Sequence, residues 1–84
     1  MSYVVYLKRS AEKELSRLPS AVHDRIVKRL LSLEENPRPS GVSKLHGRDE
    51  YRQRVGDHRI LYLINESEKK IEIVAVGHRK EVYR

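Results

Sequence analysis

Three arginines stand at a spacing suited to phosphate chemistry. Arg52 and Arg54 are two residues apart, and Arg59 follows beyond Gly56 and Asp57. Side chains alternate along a strand, so Arg52 and Arg54 share a face. A turn centred on Gly56 and Asp57 sets Val55 opposite His58 and Arg54 opposite Arg59. Directly opposed residues also share a face. All three arginines then project together from the centre of a sheet. Clustered guanidinium groups repel one another, and a polyanion supplies the missing counter-charge. The planar fork of arginine matches phosphate oxygens in particular. The competing reading is three solvated arginines, each paired with Glu50, Asp57 or Glu72.

A second group lies near the end of the chain, where Gly77, His78, Arg79 and Lys80 are followed by Tyr83. In an antiparallel sheet this end lies beside the start of the preceding strand, close to His58 and Arg59. Histidine titrates near neutrality without perturbation, so His78 is a candidate acid or base, and His58 competes with it. The competing reading of His78 is a surface imidazole at a strand terminus, which is the commoner case. Tyr83 could donate a phenolic proton or stack on a base, or it could plug a thin core. His23 falls among charges on a helix and reads as surface.

Other chemistries find no pattern. With no cysteine, a disulfide scaffold, a thiolate zinc site and a cysteine nucleophile are excluded. The four histidines include no pair four residues apart on a helix, so no metal site or cofactor is expected. Gly56 and Gly77 are isolated and build no phosphate loop. Ser10 and Ser20 read as helix caps, not nucleophiles.

The charge balance suits an acidic partner. Against 12 Asp and Glu there are 18 Lys and Arg, a formal charge of +6. Residues 1–42 hold 8 basic and 5 acidic side chains, and residues 43–84 hold 10 and 7, so each half is +3. The charge is therefore no basic tail on a neutral domain, and a compact basic domain fits a polyanion. At 36% charged and 38% hydrophobic, the chain is expected to fold. Its 84 residues suit a single domain spanning 1–84 with a thin core. No apolar run reaches the roughly 18 residues of a membrane span. The opening residues lack the order of a signal peptide, so a cytoplasmic location is expected.

The elements that must position these residues follow from periodicity. Residues 3–7 are aromatic and β-branched, a strand apolar enough for burial on both faces. Ser10 caps a short helix bearing Ala11, Leu15 and Leu18 on one side, and Pro19 stops it. Ser20 caps a longer helix whose stripe is Val22, Ile26, Leu30 and Leu33, widened by Val27 and Leu31. Residues 37–49 are rich in Pro, Gly and Ser and form a long loop, anchored by Leu45. Strands follow over 50–55, 58–64 and 71–76. The expected class is α+β: an N-terminal strand, an α-helical hairpin, then a three-stranded antiparallel β-meander (β-α-α-β-β-β). The helices pack on one face of the sheet.

Four stretches carry a family resemblance. They are the first strand with Ala11-Glu12-Lys13-Glu14-Leu15, and Lys44-Leu45-His46-Gly47. The others are Tyr51-Arg52-Gln53-Arg54-Val55-Gly56-Asp57-His58-Arg59-Ile60-Leu61-Tyr62 and Val76-Gly77-His78-Arg79-Lys80-Glu81-Val82-Tyr83. Together they resemble the RelE/ParE superfamily of type II toxins along essentially the whole chain. The RelE branch implies a ribosome-dependent, metal-independent endoribonuclease that cuts mRNA in the A site. There the 2′-hydroxyl attacks the adjacent phosphodiester, leaving a 2′,3′-cyclic phosphate and a 5′-hydroxyl. On this resemblance the catalytic set is Arg54, Arg59, His78, Arg79 and Tyr83. Lys44, Arg48, Arg52, His58 and Lys80 are the RNA-binding set. The partners it implies are a RelB-like antitoxin, the ribosome with its mRNA and 16S rRNA, and operator DNA through the antitoxin alone.

One position departs from the pattern. The best-known RelE toxins carry a lysine, proposed as the base, where Arg54 stands. A guanidinium stays protonated and is a poor base, so Arg54 is expected to act electrostatically. His78 or His58 would then take the proton, or the ribosome would assist. Two alternatives stand beside this: a ParE-like gyrase poison without nuclease activity, and a non-catalytic RNA- or ribosome-binding module.

Overall fold

The computed structural model describes residues 2–45 and 50–78. In chain order the elements are β1 (Val4–Leu7), α1 (Arg9–Ser16), α2 (Ser20–Leu33), β2 (Ser43–Lys44), β3 (Glu50–Val55), β4 (His58–Asn65) and β5 (Lys70–His78). The strands form one sheet in the order β1-β5-β4-β3-β2.

The expected meander is present, since β3–β4 and β4–β5 both pair antiparallel. The sheet as a whole is mixed and five-stranded, which corrects the three-stranded antiparallel description. Strand β1 runs parallel to β5, from Val4↔Lys70 to Leu7↔Ile73. A parallel pair needs a long crossover, and here the helical hairpin begins it. Strand β2 adds an edge inside the stretch expected to be all loop, pairing Ser43↔Arg52 and Lys44↔Tyr51.

The α2 stripe works as its spacing implies. Ile26, Leu30 and Leu33 are buried, while Leu31 remains 57% exposed. With Ala11 they meet Val55, Ile60, Tyr62, Ile71, Ile73 and Val76 on the helix side of the sheet. Burying each large aliphatic side chain contributes about 1.5–3 kcal/mol. Strand β1 is not buried on both faces. Its side chains alternate between faces and the helices cover only one of them, so Val5 and Leu7 turn toward the core while Val4 and Tyr6 stay exposed.

The expected serine caps are also corrected. Lys8 and Pro19 occupy the N-cap positions, with no side-chain cap bond, and Ser10 and Ser20 lie within the helices. Pro19 has φ −56° and ψ 148°, an extended geometry that ends one helix and starts the next. The acidic side chain of Glu14 has an unexpected task. Strand β1 ends opposite Ile73, which leaves the rest of that β5 edge without a strand partner. Lys8 N donates to the Ile73 carbonyl at 2.9 Å, and Val76 N donates to Glu14 Oε1 at 2.9 Å. Helix α1 thus closes the edge of β5.

The segment after α2 is strapped to the sheet by tyrosines. Tyr62 Oη donates to the Pro37 carbonyl at 2.8 Å, and Arg38 Nε donates to Tyr51 Oη at 3.1 Å. The two rings stack with centroids 5.8 Å apart. Burial pushes the Tyr62 phenol well above its ordinary range. Arg38 also reaches Glu66, whose other oxygen accepts from Tyr3 Oη at 2.7 Å. That Tyr3 bond, with Arg38, holds the Glu66 carboxyl below its usual value. Leu45 is only half-buried and tethers through its backbone N, which donates to the Glu50 carbonyl at 2.8 Å.

Candidate nucleic-acid interface

The β3–β4 hairpin aligns the arginines as the alternation requires. Arg54 pairs with Arg59, Arg52 pairs with Leu61, and Val55 pairs with His58. Val55 and Ile60 face the helices, so Arg52, Arg54 and Arg59 lie on the opposite face. The turn that sets this register has Gly56 at φ +61°, the first central position of a two-residue hairpin. Glycine adopts that angle without steric cost.

The three are not equivalent. Arg54 is exposed, Arg52 is half-buried, and Arg59 is only 8% exposed, with Nε and Nη1 shielded from solvent. Among the described residues Arg54 has no ion-pair partner within 4.0 Å. Arg59 faces Gly77 across β5, so no side chain stands opposite it there. The result is a graded basic surface with one anchored guanidinium beside one presented to solvent. Such a pair can hold two oxygens of a phosphodiester and stabilise charge developing on phosphorus.

The histidines take the other face. His58 and His78 are register partners whose ring centroids lie 5.6 Å apart at 78°. His58 has the parity of Ile60, and His78 that of Val76, so both belong to the helix side. They share the hairpin end of the sheet with Arg54 and Arg59 but are not on the arginine face. Lys44 pairs with Tyr51 and likewise has helix-side parity. His23 lies 3.3 Å from Asp24 on α2. Arg48, Arg79, Lys80 and Tyr83 lie outside the described residues.

A further cation was not foreseen. The Arg25 guanidinium from α2 reaches the turn, its Nη1 and Nη2 each 3.5 Å from where a Cβ on Gly56 would stand. The only sequence signal is its place beside Ile26, at the margin of the apolar stripe. No group of three or more potential metal ligands occurs among the described residues, and no described helix is long and apolar enough to cross a membrane.

Known structures share this architecture. The chain is similar to RelE in the archaeal RelE–RelB complex from Pyrococcus horikoshii OT3, with 35% identity and TM-score 0.84 over 94% of this chain and 97% of that one. It is similar to the isolated E. coli RelE toxin, with 29% identity and TM-score 0.82 over 98% and 92% of the two chains. The YoeB/ParE toxin from Agrobacterium tumefaciens shares the fold, with 15% identity and TM-score 0.78 over 90% and 98%. No curated protein sequence matches. The family model for the ParE toxin of type II toxin–antitoxin systems, parDE, matches residues 5–83, and the chain belongs to that family within the RelE/ParE superfamily.

Proposed function

We propose that this toxin is a ribosome-dependent endoribonuclease that cleaves mRNA in the A site. The observation that carries this is the direct pairing of Arg54 with Arg59 on the face turned away from the helices. The substrate 2′-oxygen forms a bond to phosphorus and loses its proton. The bond to the 5′-oxygen breaks, and that oxygen gains a proton. Arg54 and Arg59 hold the non-bridging oxygens while negative charge builds there. Arg52 extends the positive track along β3. Arg79 and Tyr83 complete the catalytic set by residue type, with Arg48 and Lys80 on the flanking RNA. A proton acceptor drawn from His58 or His78 requires the RNA to pass around the hairpin end of the sheet. The ribosome supplies that group otherwise.

The antitoxin partner follows from RelE toxins solved with RelB antitoxins. An apolar groove lined by Val5, Leu7, Leu15, Val27, Leu30 and Leu31 runs between β1 and the helices. It suits the apolar face of an amphipathic antitoxin helix.

The ParE name of the matching family keeps gyrase as the second target. Primer extension on mRNA programmed into ribosomes, beside a gyrase supercoiling assay, tests both. Cleavage inside the A-site codon, absent without ribosomes, is the expected result. Intact mRNA with blocked supercoiling would move the protein to gyrase.

A further inference from the structure

We propose that the RNA track turns the tip of the β3–β4 hairpin and continues along α2, where Arg25 and Arg29 bind phosphates of the same single strand. The inference rests on the reading of the arginine face as the RNA site and extends it to a second surface. In α2, Ile26, Leu30 and Leu33 are buried, and a different flank lies on either side of them. Val27 and Leu31 line the apolar groove beside β1. Arg25, Lys28 and Arg29 are exposed and, at spacings of three and four residues, share the other flank. That flank faces the hairpin, because the Arg25 Nη1 and Nη2 each stand 3.5 Å from the position of a Cβ on Gly56.

The flank has no counter-charge of its own. Among the described residues none of Arg25, Lys28 and Arg29 has a side-chain hydrogen bond or an ion pair. Asp24, the carboxylate next to Arg25 in sequence, lies 3.3 Å from His23 instead. Arg25 and Arg29 are four residues apart, and like charges at that spacing destabilise a helix. A bound polyanion removes the penalty. The two positions are about 6 Å apart along the axis, a step that successive phosphates of one strand can follow. The hairpin tip joins this flank to the sheet face. Arg54 stands two residues before Gly56 and is exposed, and Arg25 meets Gly56 from the helix side. Glycine leaves no side chain in the way, so the RNA backbone can pass close to the turn. Asp57, the other central residue of the turn, carries a carboxylate that repels phosphate, so the crossing is over Gly56. The same path brings RNA to the helix side of the hairpin end, where His58 pairs with Val55.

The test compares two RNAs on the full chain without ribosomes. One is a uridine trinucleotide, too short to leave the sheet face, and the other an oligouridylate of about twelve nucleotides. Fluorescence anisotropy across a salt series gives each affinity and its salt slope. In the wild-type chain the slope should be steeper for the long RNA. Arg25→Gln with Arg29→Gln should flatten the long-RNA slope by about 1.4, two phosphates at about 0.7 each, and leave the trinucleotide unchanged. Arg25→Lys with Arg29→Lys should keep the wild-type slope, since the contact is with charge. A long-RNA slope unchanged in the glutamine variant would overturn the proposal and leave the sheet-face reading standing. Equal losses on both RNAs would overturn it too, because they would show a general field and not a second contact region. RNA binding indifferent to Arg54→Ala, or no binding of the long RNA at all, would overturn the sheet-face reading and this inference with it.

Discussion

Arg54 and Arg59 oppose each other across the β3–β4 hairpin, one exposed and the other 8% exposed. The contrast separates two tasks that residue type alone would merge. A presented guanidinium can bind substrate without supporting the fold. A shielded one does both, because its stem packs as well as its charge.

Arg54→Ala should therefore leave stability within about 0.5 kcal/mol of wild type while weakening RNA binding. If Arg54 neutralises one phosphate, the slope of log affinity against log salt should flatten by about 0.7 for single-stranded RNA. Arg59→Ala should lower both binding and stability, the latter by about 2 kcal/mol or more. Urea denaturation and salt-dependent RNA binding on the two variants check this. Equal stability losses would remove the distinction.

Tyr62 gives an alkaline signature. Burial raises its phenol above the ordinary value of 10.0, so the folded state keeps the proton longer than the unfolded chain. Above that value the unfolded state binds fewer protons than the folded one, and stability falls as pH rises. Below it the contribution is fully present. Tyr62→Phe should flatten this slope and cost about 1 kcal/mol at neutral pH through loss of the bond to the Pro37 carbonyl. Thermal unfolding from neutral pH upward reads both effects. An unchanged alkaline slope would mean that another group controls it.

How much of this was legible in the sequence depends on the range of the pattern. Val22, Ile26, Leu30 and Leu33 recur within one helix, so their shared face needs no partner to be seen. Gly56 and Asp57 mark a turn locally, and the arginine alignment follows from it. The parallel pairing of Val4 with Lys70 spans nearly the whole chain and leaves no local trace. Ser43 and Lys44 have no strand composition, and only Arg52 and Tyr51 beside them make a ladder. The histidines are a different case. The alternation that groups Arg54 with Arg59 also groups His58 with Val55, so their place on the helix side was available from the sequence. Nearness to Arg59 along the strand obscured it.

Glu14 closes the β5 edge, and its two plausible replacements should part company. Glu14→Leu removes the acceptor for Val76 N and leaves a partly buried donor unpaired. That should cost about 1–3 kcal/mol. Glu14→Gln keeps a carbonyl oxygen in reach and should cost less. Amide exchange at Val76 should accelerate in the leucine variant and stay near wild type in the glutamine variant. Equal exchange in both would show that the edge is held by Lys8 alone.

Leu31 tests the antitoxin groove. It is 57% exposed, lines the groove with Val27 and Leu30, and adds little to the buried stripe. A charge placed there should leave the fold intact, because the position is already solvated. Leu31→Glu should keep stability within about 0.5 kcal/mol. The same change sets a carboxylate against the apolar face of any helix seated in the groove, and a desolvated, unpaired charge is costly. Antitoxin affinity should then fall at least tenfold, read by titration calorimetry with the cognate antitoxin, while cleavage of ribosome-bound mRNA in the absence of antitoxin is kept. Undiminished affinity would move the antitoxin to another surface, and the exposed Val4 and Tyr6 of β1 would be the next positions to charge.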